Sequence, residues 1–294
     1  MLSLNTNASA LSTQASLGKT QSALSTSMSR LGTGYRVNSA MDDAAGLQIA
    51  TRLKAQTSGM AVAMKNTQNG ISMMQTAEGA LDEVSNILIR MKDLATESFT
   101  ASTTADDKTA MQSEYAALGR ELANIVKNTS FGGKQLFSDG TKKDGTGGQL
   151  SANVTFQIGA AASETMDLDL GSSISSLAGA ISTVSASYSD TTGTALGTEL
   201  TAGANSVITN LSTALDKVGA LRADLGAASN RLDHVFNNLQ NMSTNTKAAT
   251  GRIMDVDYAS ETSNMTTKQM LMQASTSMLK QANSMSGMVM SLLQ

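Results

Sequence analysis

The chain has 294 residues, a net charge of −3, and neither proline nor cysteine. Without cysteine there are no disulfides and no thiolate metal sites, and without proline long helices can run uninterrupted. Aromatic residues are 3% of the chain, so Met, Leu, Ala and Val must fill the core.

No basic stripe points to nucleic acid, and no apolar run approaches the ~20 residues of a membrane span. The first residues, MLSLNTNASALSTQASLGKT, lack the charged start and apolar stretch of a standard signal peptide. Over residues 1–31, Leu4, Ala8, Leu11 and Ala15 keep helical spacing, and Leu17, Leu24, Met28 and Leu31 continue it after a shift in register. The remainder is Ser, Thr, Asn and Gln, which predicts a helix with a narrow seam and little stability of its own. RLGTGYRVNSAMDDAAG (30–46) breaks it at Gly32 and Gly34, and Ser39 with Asp42 predicts a capping box for the next helix. That helix extends to about Phe99. Met74, Leu81, Leu88 and Ala95 form one heptad row and Ala77, Val84 and Met91 its companion, with Gly59, Gly70 and Gly79 as weak points. After a polar turn a third helix extends to about Lys127, with the seam Met111, Tyr115, Leu118, Leu122 and Ile125.

Gly132-Gly133 marks a turn, and 138–150 is a loop by composition. Val154, Phe156 and Ile158 alternate with polar residues, as do Met166, Leu168 and Leu170, predicting a hairpin at about 152–170. A short helix is predicted at 172–184, with Ile174, Leu177, Ile181 and Val184, and residues 185–205 are the least constrained stretch. The longest signal follows. Leu211, Val218, Leu225, Leu232 and Leu239 recur every seven residues, with Ala214, Leu221, Ala228, Val235 and Met242 three places later. Such a seam winds against a partner helix over a rod of roughly 50 Å. GRIMDVDYASETSNM (251–265) is a second joint. In the last helix, 265–294, Leu271, Met278, Met285 and Leu292 make one row; Ser275, Ala282 and Val289 lie on the adjacent line, beside Met272, Leu279 and Leu293.

These elements predict a mainly α fold: a long antiparallel helical coiled-coil bundle with a small β-hairpin, plus a paired terminal-helix domain. The terminal domain takes residues 1–42 and 253–294. The rod takes 43–170 and 206–252, and 171–205 is a short variable insert. Two narrow terminal helices bury too little to offset ordering their residues at ~1–2 kcal/mol each. They are expected to order when other copies supply neighbours, and a head-to-tail contact that does not close yields a fibre.

LGTGYRVNSAMDDAAGLQIATRL (31–53), NGISMMQTAEGALDEVSNILIRMKDLA (69–95), ALDKVGALRADLGAASNRLDHVFNNL (214–239) and RIMDVDYASETSNM (252–265) resemble bacterial flagellin, and VTFQIGAAASETMDLDL (154–170) resembles the hairpin of that family. The resemblance covers about the first 137 and last 85 residues. Tyr35, Met41 and Gly132 depart from the usual pattern. It implies an extracellular filament whose inner tube is the paired terminal helices and whose outer tube is the rod, with 32–46 and 251–264 as spokes. About 35 residues, 171–205, stand where larger members insert outer domains. The resemblance also implies export through a type III channel, a cytoplasmic export chaperone on the C-terminal helix, and flagellar cap and hook-junction proteins as partners.

Subunit packing is assigned to Leu4, Leu11, Leu24, Leu31, Leu271, Met278, Leu279, Met285, Val289 and Leu292. The resemblance further implies recognition of the monomer by a host Toll-like receptor through Arg90, Leu94 and Glu114; by spacing alone these are helix-surface charges and an ordinary packing leucine. No enzyme is expected and no cofactor or metal. The one histidine, His234, flanks the rod seam, and the H-E-x-x-H motif that some members carry is absent. Asp42, Asp43, Asp255 and Asp257 are expected to cap helices or pair with Arg30, Arg36 or Arg252. The competing expectations are a hook–filament junction protein, which shares terminal seams, and a secreted helical adhesin, for which 171–205 is small.

Overall fold

A computed structural model describes residues 7–139, 145–189, 197–202 and 204–292. In chain order the elements are α1 (Ala8–Thr33), α2 (Ala44–Ser98), α3 (Ala105–Asn128), β1 (Ser130–Phe131), β2 (Lys134–Gln135), a 3-10 turn (Gln149–Ser151), β3 (Val154–Gln157), β4 (Thr165–Leu168), α4 (Gly171–Val184), α5 (Ala186–Ser189), α6 (Glu199–Ala202), α7 (Ala204–Met254) and α8 (Tyr258–Leu292). They fall into two compact units, residues 58–243 and residues 1–57 with 244–294.

In the first of these units the heptad rows meet. Leu81, Leu88, Met91, Leu211, Leu221 and Leu225 are almost wholly buried in one core. The register shows α2 and α7 antiparallel: Arg222 pairs with Asp82 at 2.9 Å, Leu232 lies beside Gly70, and Leu239 clusters with Met60 and Ala63. The buried row on α2 runs further than its apolar residues show, through Met60, Ala63, Thr67, Gly70 and Met74. Thr67 is tolerated there because its hydroxyl donates to the Ala63 carbonyl at 2.8 Å.

Gly59 and Gly70 are contact points and not weak points. A Cβ on Gly59 would stand 2.7 Å from Ala160 Cβ, and one on Gly70 2.9 Å from Phe156 Cε1. Their bare backbones let the β3–β4 hairpin, paired with Phe156 opposite Met166, lie on α2. The β1–β2 hairpin turns through Gly132 and Gly133, with φ of 59° and 82°; two positive φ values in a two-residue turn favour glycine.

Three further expectations need correction. The α3 seam is rotated: Gln112, Tyr115, Gly119, Leu122 and Val126 are buried, while Met111, Leu118 and Ile125 are only partly covered. The cause is the described part of residues 185–205, read from sequence as the least constrained stretch, which packs on α3 through α5 and α6. In α4, Ile174, Leu177, Ile181 and Val184 join the core, and Tyr188 and Leu200 follow. Leu200 N–H donates to Gln112 Oε1 at 2.8 Å, Gln112 Nε2 to Glu199 Oε2 at 2.6 Å, and the Tyr115 hydroxyl to the Val184 carbonyl at 2.8 Å. Burial, with the Glu199 charge nearby, pushes the Tyr115 phenol well above its ordinary value.

Met242 does not continue the α7 seam. It is 36% exposed, and Ser243 is buried in its place. A helix near 3.6 residues per turn drifts about 20° per heptad, so after several heptads the next position takes over. Third, α2 does not start on a Ser39 capping box. Asp42 Oδ2 accepts from the backbone N–H groups of Asn38 and Ser39 and closes a turn, whereas Asp43 Oδ1 accepts from Gly46 N–H at 2.8 Å and leads into the helix.

Candidate self-assembly interface

The second unit is built around the two terminal helices. Asn7 starts α1: its Oδ1 accepts from Ala10 N–H at 3.0 Å, and its Nδ2 donates to the Ala282 carbonyl of α8 at 3.0 Å. Along α1 the covered positions include Ala10, Thr13, Leu17, Thr20, Leu24, Ser27 and Leu31. Along α8 they include Glu261, Met265, Lys268, Met272, Ser275, Leu279 and Ala282. Both sets step by three and four, the signature of a two-helix seam, and the two helices pack on each other. The seam is thin. Of α1 only Leu24 and Ser27 are fully buried among the described residues.

The terminal helices are nearly uncharged. Lys19 and Arg30 are the charges of α1, and Glu261, Lys268 and Lys280 those of α8. The Ser and Thr hydroxyls that replace charge turn inward: Thr13, Thr20, Thr26 and Thr33 donate to carbonyls one turn back. A hydroxyl already bonded to its own helix costs little to cover with another protein surface.

The joint ties the two helices at one end. Gly34 ends α1 at φ 77°, and the chain then pairs with the α7–α8 connection. Arg36 N–H donates to the Met254 carbonyl at 2.6 Å and Val256 N–H to the Gly34 carbonyl at 3.0 Å. Arg36 Nη2 donates to the Ile253 carbonyl at 2.8 Å. Arg30 lies 3.9 Å from both Asp42 and Glu261, joining α1, the loop and α8. Asp42 is held below the usual carboxylate value by the N–H groups of Ser39 and Asn38, and Asp257 by Ser260 and the N–H of Ala259.

The ten residues assigned to subunit packing divide by position. Leu24, Leu31 and Leu279 lie in the α1–α8 seam. Leu11 (63% exposed), Leu271 (47%), Met278 (64%) and Met285 (51%) face outward. Leu4 lies outside the described residues, as do the side chains of Val289 and Leu292. Leu271, Met278 and Met285 are a heptad apart, so α8 carries two apolar rows, one against α1 and one open.

In the rod unit, Arg90 and Glu114 come together across the α2–α3 hairpin. Arg90 Nε and Nη2 donate to Glu114 Oε1 at 3.0 and 2.7 Å, and Glu114 raises the Arg90 guanidinium pKa further. Both lie on the surface. Leu94 does not join them: it is 2% exposed and packs into the core. His234 is exposed. Among the described residues no three His, Asp or Glu side chains gather as metal ligands, and no helix is long and apolar enough to cross a membrane.

A chain whose ends pair along one thin seam and leave a second apolar row open has the form of a subunit for helical assembly. Residues 4–142 match the bacterial flagellin N-terminal helical region, and residues 208–293 match the bacterial flagellin C-terminal helical region. Flagellin of Bacillus subtilis is 38% identical over 305 aligned positions, covering 100% of both chains. Polar flagellin F of Vibrio parahaemolyticus and flagellin B of Vibrio cholerae are each 35% identical, over 384 and 373 positions, covering 99% of each chain. The chain belongs to the bacterial flagellin family and is a structural subunit of the extracellular flagellar filament. The two Vibrio alignments far exceed the 294 residues here, so those proteins carry long insertions that this one lacks.

Proposed function

We propose that copies of this chain join through the outward row of α8, with Leu271, Met278 and Met285 covered by the terminal helices of neighbouring copies, and that the resulting filament drives swimming or swarming. The observation that carries this is the open apolar row on a helix whose other row is already filled. Residues 1–42 and 253–294 form the inner tube in this reading, 43–170 and 206–252 the outer tube, and 171–205 a short insert. Cap and hook-junction proteins guide growth, an export chaperone holds the C-terminal helix before secretion, and the role is structural, without catalysis. The test is regrowth on filament seeds after heat dissociation. The full chain extends seeds and a chain lacking residues 265–294 does not; extension by the truncated chain would contradict the proposal.

The Arg90–Glu114 pair supports a second role, recognition of the unassembled chain by the host flagellin-sensing Toll-like receptor. A guanidinium held by two hydrogen bonds to one carboxylate oxygen, on a packed helix pair, offers a placed polar contact. Leu94 acts there from inside, by seating α2 on the core. In a receptor reporter assay dissociated protein outperforms intact filaments, and Arg90→Ala weakens the response without changing the folded rod. A stronger response to intact filaments would count against it.

A further inference from the structure

The open row of α8 contains two thioethers where any apolar side chain would pack. Met278 and Met285 are more than half exposed, as are Met28, Met41 and Met270, which lie off this row. By contrast Met60, Met74 and Met91 are sealed in the rod core at 1% exposure or less. Oxidation of methionine follows exposure, and it turns a flexible apolar side chain into a polar one. The reaction balances with a peroxide as co-reactant. The sulfur lone pair attacks one peroxide oxygen, an S–O bond forms and the O–O bond breaks. Sulfur is oxidised by two electrons, and the peroxide is reduced to water after taking up a proton.

The consequence depends on when it happens. A sulfoxide oxygen is a strong acceptor, and the backbone N–H groups around Met278 and Met285 are spent inside α8. Covered by a neighbouring copy, it would be a buried acceptor without a donor, which costs far more than the thioether it replaces. Covered already, the thioether is out of reach of the oxidant.

We propose that Met278 and Met285 form an oxidation site for hydrogen peroxide and related two-electron oxidants, open on the unassembled chain and closed in the filament, and that its sulfoxide bars the chain from incorporation. This rests on the proposal that copies cover the outward row of α8. Full-length dissociated protein is partly oxidised with hydrogen peroxide and offered to seeds, and sulfoxide is mapped by peptide mass in filaments and in the unincorporated remainder. Sulfoxide at Met278 and Met285 is expected to be depleted about tenfold or more in filaments, with Met60, Met74 and Met91 unoxidised in both. Treatment with methionine sulfoxide reductases restores extension. A Met278→Leu, Met285→Leu chain keeps extending seeds after a peroxide dose that stops the parent. Entry of both sulfoxides at the proportion in which they were offered would overturn the inference, as would equal inhibition of the double variant. Failure of the untreated chain to extend seeds would instead overturn the assembly proposal beneath it.

Discussion

Gly119 decides how closely residues 185–187 approach α3. A Cβ there would stand 2.5 Å from Ser185 Oγ and 3.1 Å from its Cβ. Gly119→Val is expected to destabilise the rod by about 1–3 kcal/mol through overpacking, seen in urea unfolding as a lower midpoint with an unchanged slope. The caps make a second prediction. Asp107 closes a capping box with Thr104, whose hydroxyl and N–H hold the carboxyl below its ordinary 3.8; Asp42 and Asp257 are lowered likewise. A carboxylate with a lowered folded-state pKa contributes stability that is complete above the unfolded value and is lost as pH falls through the folded one. Thermal midpoints measured against pH should therefore fall below about pH 3.8, and Asp107→Asn should flatten that acid limb; an unchanged limb would show the box to be silent. At this scale the sequence exposed what is apolar and hid what is small or polar. Leu81, Leu88, Leu211 and Leu225 announced their rows, whereas Thr67, Gly70, Gln112 and Gly119 hold buried positions with no hydrophobic signal.

Helix α8 shows how much an element's pattern conveys. Its spacing revealed two apolar rows but not which one faces α1. Leu271, Met278 and Met285 made one row, with Met272 and Leu279 beside the adjacent line, and the structure turns Met272 and Leu279 toward α1 and leaves the first row open. The ambiguity is physical: with so few charges, no face of α8 is marked as the outside. The two rows should respond differently to a carboxylate. Met278→Asp is expected to leave the free chain's helix content unchanged while seeded growth stops; Leu279→Asp should disturb the α1–α8 pair as well. Circular dichroism of the free chains beside seeded growth separates them, and normal growth of Met278→Asp would remove the outward row from the assembly contact. The short helix α4 was the opposite case. Ile174, Leu177, Ile181 and Val184 repeat at helical spacing and were readable directly, but that the segment after them closes on α3 depended on Gly119 and Gln112, which gave no cue.

At the scale of the whole chain, the two compact units are unequally furnished. The rod unit closes a continuous core from Met73 and Met74 through Leu122 and Ile181 to Leu225 and Ala228. In the unit of the ends, the α1–α8 seam consists of mostly half-covered side chains. Isolated helix pairs with so little buried surface are marginal in water, and regions with few buried apolar contacts open at low free-energy cost. In the proposed assembly, copies of the chain supply what is missing, and the α1–α8 pair, marginal in the free chain, becomes firm as it is covered. Amide hydrogen exchange on dilute free chain and on filaments measures this directly. Residues 74–95 and 207–239 should be protected in both states, and 8–33 and 258–292 only in the filament. Strong protection at both ends of the dilute free chain would contradict the account.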